Sequence, residues 1–170
     1  MKLDTLISSN AVLTNPEIKS KKRALEQLGE LLAAEATSIN RAASADETSA
    51  EDINPLAIFQ LLTDREKLGS TSMGHGVALP HARTSLTEHA VGAFLKLEKG
   101  IDFDSPDQQP TDLIFALMVP EHYTDEHLKI LAHLATLFSD KDFCSVLRKS
   151  ASAEEAYKHL VSWQLASRAS

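Results

Sequence analysis

Seven consecutive apolar residues, Leu113-Ile114-Phe115-Ala116-Leu117-Met118-Val119, closed by Pro120, place the strongest demand on any fold of this chain. A strand points successive side chains to opposite faces, so an unbroken apolar run is stable only where both faces are covered. The run therefore predicts a central strand with helices above and below it. The stretch from Ala90 to Leu97 alternates in a β-like manner and predicts a second strand.

Helical signals surround these strands. Ser20 caps a predicted helix that runs to about Glu35, with Ala24, Leu25, Leu28, Leu31 and Leu32 on one stripe. From Ala36 to Asp52 the chain is Ala-, Ser-, Thr- and Asp/Glu-rich without periodicity, which predicts a surface loop over 36–52 with room for a short helical turn. Asn54-Pro55 opens a second helix that ends at Gly69. A third runs from Thr124 to about Phe138, with Asp125 and Glu126 favourably placed in its first turn. Two more follow, near Asp142–Lys149 and Ala153–Leu165. Helices and strands alternate without repeats. The expectation is one α/β domain over residues 1–170, with a mixed central β-sheet flanked by helices on both faces.

Composition narrows the function classes. A length of 170 residues with 43% hydrophobic content suits one ordinary globular core. No apolar run approaches the ~20 residues needed to span a bilayer, and Met1-Lys2-Leu3-Asp4 lacks a signal-peptide core, so membrane insertion is not expected and the expected location is the cytoplasm. Cys144 is the only cysteine, which rules out an internal disulfide and a thiolate metal cluster. A formal charge of −7 disfavours nucleic acid and favours protein partners. Lys19, Lys21, Lys22 and Arg23 form a basic cluster at a helix start, where the macrodipole prefers acids; they read either as a solvated face or as a docking or anion-contact patch.

The chemistry concentrates in residues 69–83. Val77, Ala78 and Leu79 form a short apolar strand, and Pro80 fixes φ and lacks a donor N–H, so His81 is expected as the first free side chain past a strand end. A neutral imidazole keeps a lone pair on one nitrogen, so His81 can act as a nucleophile towards phosphorus. Arg65, four residues before Gly69, either complements the helix C-terminus or holds two phosphoryl oxygens through its guanidinium. Ser70 and Thr71 supply hydroxyls and N–H groups that form either an anion nest or an ordinary turn. His127 shares a helical face with Leu131, Leu134 and Phe138 one turn from a helix start, so it points inward at an open end, as a core residue or as a site residue. The spacing of His122, His127 and His133 does not align metal ligands, and Asp102, Asp104 and Asp107 lack an EF-hand pattern. No phosphate-binding or dinucleotide loop is present. Neither metal nor cofactor is expected.

Several passages together carry a family resemblance: Ser20-Lys21-Lys22-Arg23-Ala24-Leu25-Glu26, Arg65-Glu66-Lys67-Leu68-Gly69-Ser70-Thr71, Gly76-Val77-Ala78-Leu79-Pro80-His81, Pro110-Thr111-Asp112 leading into the apolar strand, and His127-Leu128 with Leu131. In this order they resemble the IIA proteins of the fructose/mannitol class of the bacterial phosphotransferase system, most closely the nitrogen-regulatory ones. The resemblance implies that His81 accepts the phosphoryl group, that Arg65 and His127 belong to the same active site, and that Ser70 and Thr71 lie beside it. His75 replaces an Asn common in relatives, while Ser72 and Ala82 replace frequent Gly. His75 is expected to donate a hydrogen bond near the phosphoryl group and to sharpen the pH dependence of transfer. Arg83 stands where Lys or Arg often follows the histidine, there to orient phosphate or to meet an acidic partner residue. The implied donor is an HPr-like phosphohistidine carrier. Without a fused IIB or IIC part, the expected role is a regulator of target proteins according to phosphorylation state; the alternative is a free-standing sugar-specific IIA that passes phosphate to a IIB protein.

Overall fold

The apolar run forms β6 (Thr111–Pro120), and every residue in it except Asp112 is buried. In this computed structural model, which describes residues 2–43 and 52–163, β6 pairs antiparallel with β5 (Val91–Ile101), Phe94 opposite Phe115. Residues 91–97 of β5 are likewise buried without interruption. Consecutive buried residues on alternating faces require cover on both sides of the sheet. The helices supply it in two groups. The first comprises α1 (Lys21–Ala43), which packs on β5, and α2 (Pro55–Lys67), which packs on α1. The second comprises α3 (Asp125–Phe138), α4 (Lys141–Arg148) and α5 (Ala153–Ser162), joined in succession, with α5 against β1 (Val12–Thr14). Phe138 and Phe143 from this group close around Phe94 and Phe115 with ring centroids 5.1 to 6.4 Å apart in successive pairs.

The sheet is mixed and open, with order β1-β5-β6-β3-β2. β1 lies parallel on β5, and β3 (Val77–Ala78) parallel on β6; β2 (Ser72–Gly74) completes a hairpin with β3. β4 (His81–Thr84) then continues along the same edge of β6, with His81 opposite Leu117. The expected α/β architecture is therefore present.

Two expectations need correction and a third needs refinement. The helix predicted to stop near Glu35 continues to Ala43, and Ala36 and Thr37, assigned to a surface loop over 36–52, are helical and buried. The segment contains neither Gly nor Pro, and its alanines are the best helix formers, so nothing breaks the helix. Thr37 Oγ1 also accepts from the Ile53 N–H at 3.0 Å, which ties the returning chain to the helix. Residues 44–51 of the predicted loop lie outside the described residues. The last helix ends at Ser162 rather than near Leu165, which lies outside them as well. His81 follows the end of β3 but does not leave the sheet: the Pro80 carbonyl accepts from the Leu117 N–H at 2.9 Å, and pairing with β6 resumes at His81, the first residue of β4.

Helices α1 and α2 meet closely at Gly29, where an added Cβ would lie 3.0 Å from the Pro55 carbonyl oxygen and 3.1 Å from the Phe59 nitrogen. Both neighbours are backbone and cannot rotate away. Gly29→Val is expected to lower unfolding stability by about 1–3 kcal/mol through overpacking, read as a lower urea midpoint with a native-like spectrum. An unchanged midpoint would contradict the close approach.

Candidate functional site

The register of β4 on β6 decides where His81 points. His81 and Arg83 lie on one face of β4, half-buried and exposed respectively, while Ala82 and Thr84 are buried on the other. His81 Nδ1 is 2.8 Å from the Leu79 carbonyl oxygen. A carbonyl only accepts, so Nδ1 carries the proton and, in the neutral ring, Nε2 carries the lone pair. The imidazole is thus held as the tautomer whose outer nitrogen is nucleophilic.

His127 reaches the same place from the first turn of α3. Its ring meets that of His81 edge-on, with centroids 5.4 Å apart and planes at 73°. His127 Nε2 is buried without a hydrogen-bond partner among the described residues, as are four other side-chain atoms elsewhere, but it alone of these lies on a ring that meets the His81 imidazole. Burial pushes the His81 imidazole below its ordinary 6.5; the Leu79 carbonyl opposes this, the Arg65 charge reinforces it and Glu66 opposes it. Burial also lowers His127, helped by His81 and by Arg83. Two histidines in contact, both biased to the neutral form, can keep lone pairs available at neutral pH.

Arg65 spends one guanidinium N–H on the Gly69 carbonyl at 2.9 Å, capping the turn that ends α2, and its charge still acts on His81. Both roles considered for it are therefore compatible. The hydroxyls of Ser70 and Thr71 are already committed as donors: Ser70 to the Phe103 carbonyl at 2.7 Å, Thr71 to the Glu66 carboxylate. Arg83 donates to the Glu121 carbonyl and lies near enough to His127 to depress it.

His75 is the exception. It occupies the β2–β3 hairpin tip with φ of 57°, its N–H on Asp107 at 2.9 Å and its carbonyl taken by Arg148 at 2.9 Å. The adjacent Gly76 carbonyl accepts from Asp112 and Leu113, whereas His81 pairs with Leu117. Five residues of strand separate the two levels, roughly 16 Å at ~3.3 Å per residue. The structure thus does not bring His75 to the imidazole pair, because β3 and β4 lie in line along one edge rather than folded over each other. Asp107, which anchors that tip, is held at about 2 by the Ser105 hydroxyl and the N–H groups of His75 and Gln109.

Glu66 was not assigned a role in the sequence, yet its buried carboxylate also takes the Thr71 N–H at 3.2 Å and pairs with Lys21 at 2.9 Å. Lys21 was read with its basic neighbours as solvent-facing or docking; it instead bridges Glu66 and Asp104, while Lys22 and Arg23 are exposed. An acid inside an otherwise amphipathic helix was the available signal, but its partners come from residues 45 positions before it and 5 after it. Among the described residues no group of three or more His, Cys, Asp or Glu side chains is arranged to hold a metal ion.

Comparison with known proteins places the chain in a family. Residues 5–163 match the family described as phosphoenolpyruvate-dependent sugar phosphotransferase system, EIIA 2. The nitrogen regulatory protein of Bradyrhizobium diazoefficiens is 39% identical over 160 residues, spanning 94% of this chain and 95% of that one. The crystal structure of nitrogen regulatory protein IIA-Ntr from Neisseria meningitidis superposes with a TM-score of 0.78 at 37% identity, covering 91% of this chain and 96% of that one. The mannitol IIA protein of Escherichia coli shares the fold, with a TM-score of 0.65 at 19% identity over 90% and 97% of the two chains. With nearly its whole length matched, the chain belongs to the EIIA type 2 family of the phosphotransferase system.

Proposed function

We propose that this chain is the regulatory phosphocarrier of a nitrogen-type phosphotransferase system, taking a phosphoryl group onto His81 Nε2 from the phosphohistidine of a small HPr-like protein. The observation that carries the proposal is the Nδ1–H bond to Leu79, which leaves Nε2 as the nucleophile. In the transfer the Nε2 lone pair forms an N–P bond while the donor's N–P bond breaks, its electron pair returning to the donor imidazole. The proton on Nδ1 stays in place against the Leu79 carbonyl, which keeps the phosphorylated ring a good leaving group for onward transfer. Little covalent chemistry is asked of the surroundings beyond position and charge. His127 Nε2, buried and unpartnered, is suited to bond a phosphoryl oxygen, and the free N–H groups of Arg65 to hold two more.

Exposed apolar side chains support docking beside the site. Leu68 is 84% exposed three residues after Arg65, and Leu128 is 66% exposed next to His127. Isolated exposed leucines are ordinary; a pair adjoining two site residues fits a transient protein partner. Among the described residues no helix is long and apolar enough to cross a membrane. Regulation fits better than sugar transport, because the nitrogen regulatory protein of Bradyrhizobium diazoefficiens matches at 39% identity over 94% of this chain, whereas a fructose-specific EIIA component matches at 35% over only 51% of it and a fructose-specific EIIABC component at only 26%. A phosphoryl group adds about two negative charges at a histidine pair on which the charges of Arg65 and Arg83 act, enough to change which protein surface the site accepts.

Incubation with the purified phosphoryl donors should add one phosphoryl group by intact mass, lost in His81→Ala; no addition, or addition that survives that substitution, refutes the proposal. His127→Ala should fold normally yet slow uptake on the order of 100-fold, and an unaltered rate would remove its assigned role. By NMR the His81 imidazole is expected to titrate below 6.5, so uptake persists at pH 7 and falls as acid protonates Nε2. The unfolded chain takes that proton near 6.5, so stability should rise with pH across the window from the lowered value up to 6.5. A midpoint at or above 6.5 would contradict the burial argument.

A further inference from the structure

We infer that Lys21 and Glu66 are positioning residues for phosphoryl transfer at His81, acting along a continuous hydrogen-bonded path that ends on the imidazole's ring proton; the inference rests on the phosphocarrier reading. The path begins at the Lys21 ammonium, 2.9 Å from Glu66 Oε1. Glu66 accepts from both the N–H and the hydroxyl of Thr71. The Thr71 carbonyl accepts from the Leu79 N–H at 3.1 Å, and the Leu79 carbonyl accepts from His81 Nδ1 at 2.8 Å. Four successive contacts thus connect the start of α1 to the nucleophilic ring.

Each contact has a physical reason to matter. The Glu66 side chain is only 4% exposed, and a carboxylate so buried stays charged only with a cation and donors around it. Lys21 is that cation. It is itself held by Asp104 at 3.1 Å and lies 4.8 Å over the Phe103 ring. The Phe103 carbonyl takes the Ser70 hydroxyl, and Ser70 Oγ accepts from the Ser72 N–H at 3.1 Å. One ammonium-centred cluster therefore pins Ser70 and Thr71, the two residues that begin the loop. If Glu66 loses its charge or its cation, Thr71 is released, the Leu79 carbonyl shifts, and Nδ1 loses the acceptor that selects its tautomer. The proton can then reside on Nε2, where it blocks attack.

The N–H and C=O of Thr71, and likewise of Leu79, belong to different peptide planes, so the path transmits position rather than polarisation. Neither Lys21 nor Glu66 has a bond to either histidine ring. The role also explains the opposite charges of adjacent residues of α2: Arg65 is available for the phosphoryl group, while Glu66 turns onto Lys21 and Thr71 and anchors the loop.

The test compares the wild type with Lys21→Met, Lys21→Arg and Glu66→Gln in the full chain, using ¹⁵N-histidine spectra at a pH above the His81 titration to read the tautomer and donor-to-chain transfer to read the rate. Wild type should show the Nδ1–H form. Lys21→Met and Glu66→Gln should raise the Nε2–H fraction and lower the maximal transfer rate roughly ten- to a hundredfold with the KM for the phosphorylated donor little changed, because Leu68 and Leu128 are untouched. Lys21→Arg, which keeps the charge, should restore both. Should Glu66→Gln fail to fold, Lys21→Met decides alone, its site being partly open with Lys21 20% exposed. Wild-type tautomer and rate in Lys21→Met would overturn the inference. A wild-type chain that takes no phosphoryl group would instead refute the phosphocarrier reading, with the tautomer spectra still deciding whether the path positions His81.

Discussion

The seat of residues 77–84 along one edge of β6 is the constraint on which the rest depends. β6 is buried on both faces and cannot slide without exposing its side chains to the wrong surroundings, so whatever pairs with it is placed in a fixed register. Leu117 donates to the Pro80 carbonyl, His81 stands opposite Leu117, and Glu121 donates to the Thr84 carbonyl at the last rung. β6 then turns through Glu121–Thr124 into α3, which returns His127 to the neighbourhood of the strand it has just left. One ladder thereby supplies both imidazoles, the first through the strand paired to it and the second through the helix that follows it.

On that frame the charges are arranged so that the two rings stay neutral while remaining surrounded by groups that attract an anion. Burial lowers both, and the cations Arg65 and Arg83 add to the effect. Glu66 alone among the named groups pulls His81 the other way by its charge, and it is ion-paired with Lys21. The same acid that would be a liability beside a phosphoryl group is turned inward onto Thr71 and Lys21, where it holds the loop. Arg148 performs the comparable task at the far end of the edge, bridging both oxygens of Asp112 at 2.9 Å and the hairpin tip at His75.

Much of this was legible from residues alone. The unbroken apolar run announced β6, the Asn54 cap with Pro55 announced α2, and the Gly-Val-Ala-Leu-Pro-His segment together with His127-Leu128 pointed to the imidazole pair. The helix end at Ala43 was missed because polar, aperiodic alanine-rich sequence reads as loop even where propensity favours helix. His75 is expected at the site because it stands where relatives often have Asn, although the extended chain between it and His81 carries them apart. Glu66 carries no role in the sequence and Lys21 reads only as part of a basic cluster, because a charged residue shows its purpose through partners, and these lie on other segments.

The sequence by itself determined the layered α/β plan and the family, and through the family resemblance it pointed to His81 as the candidate nucleophile, since apolar periodicity and local motifs are encoded within short spans. Only the tertiary structure decided the tautomer of His81, the meeting of the two histidines and the buried path from Lys21. Each depends on carbonyl directions and strand register, which arise when distant segments share one sheet edge and which no single segment specifies.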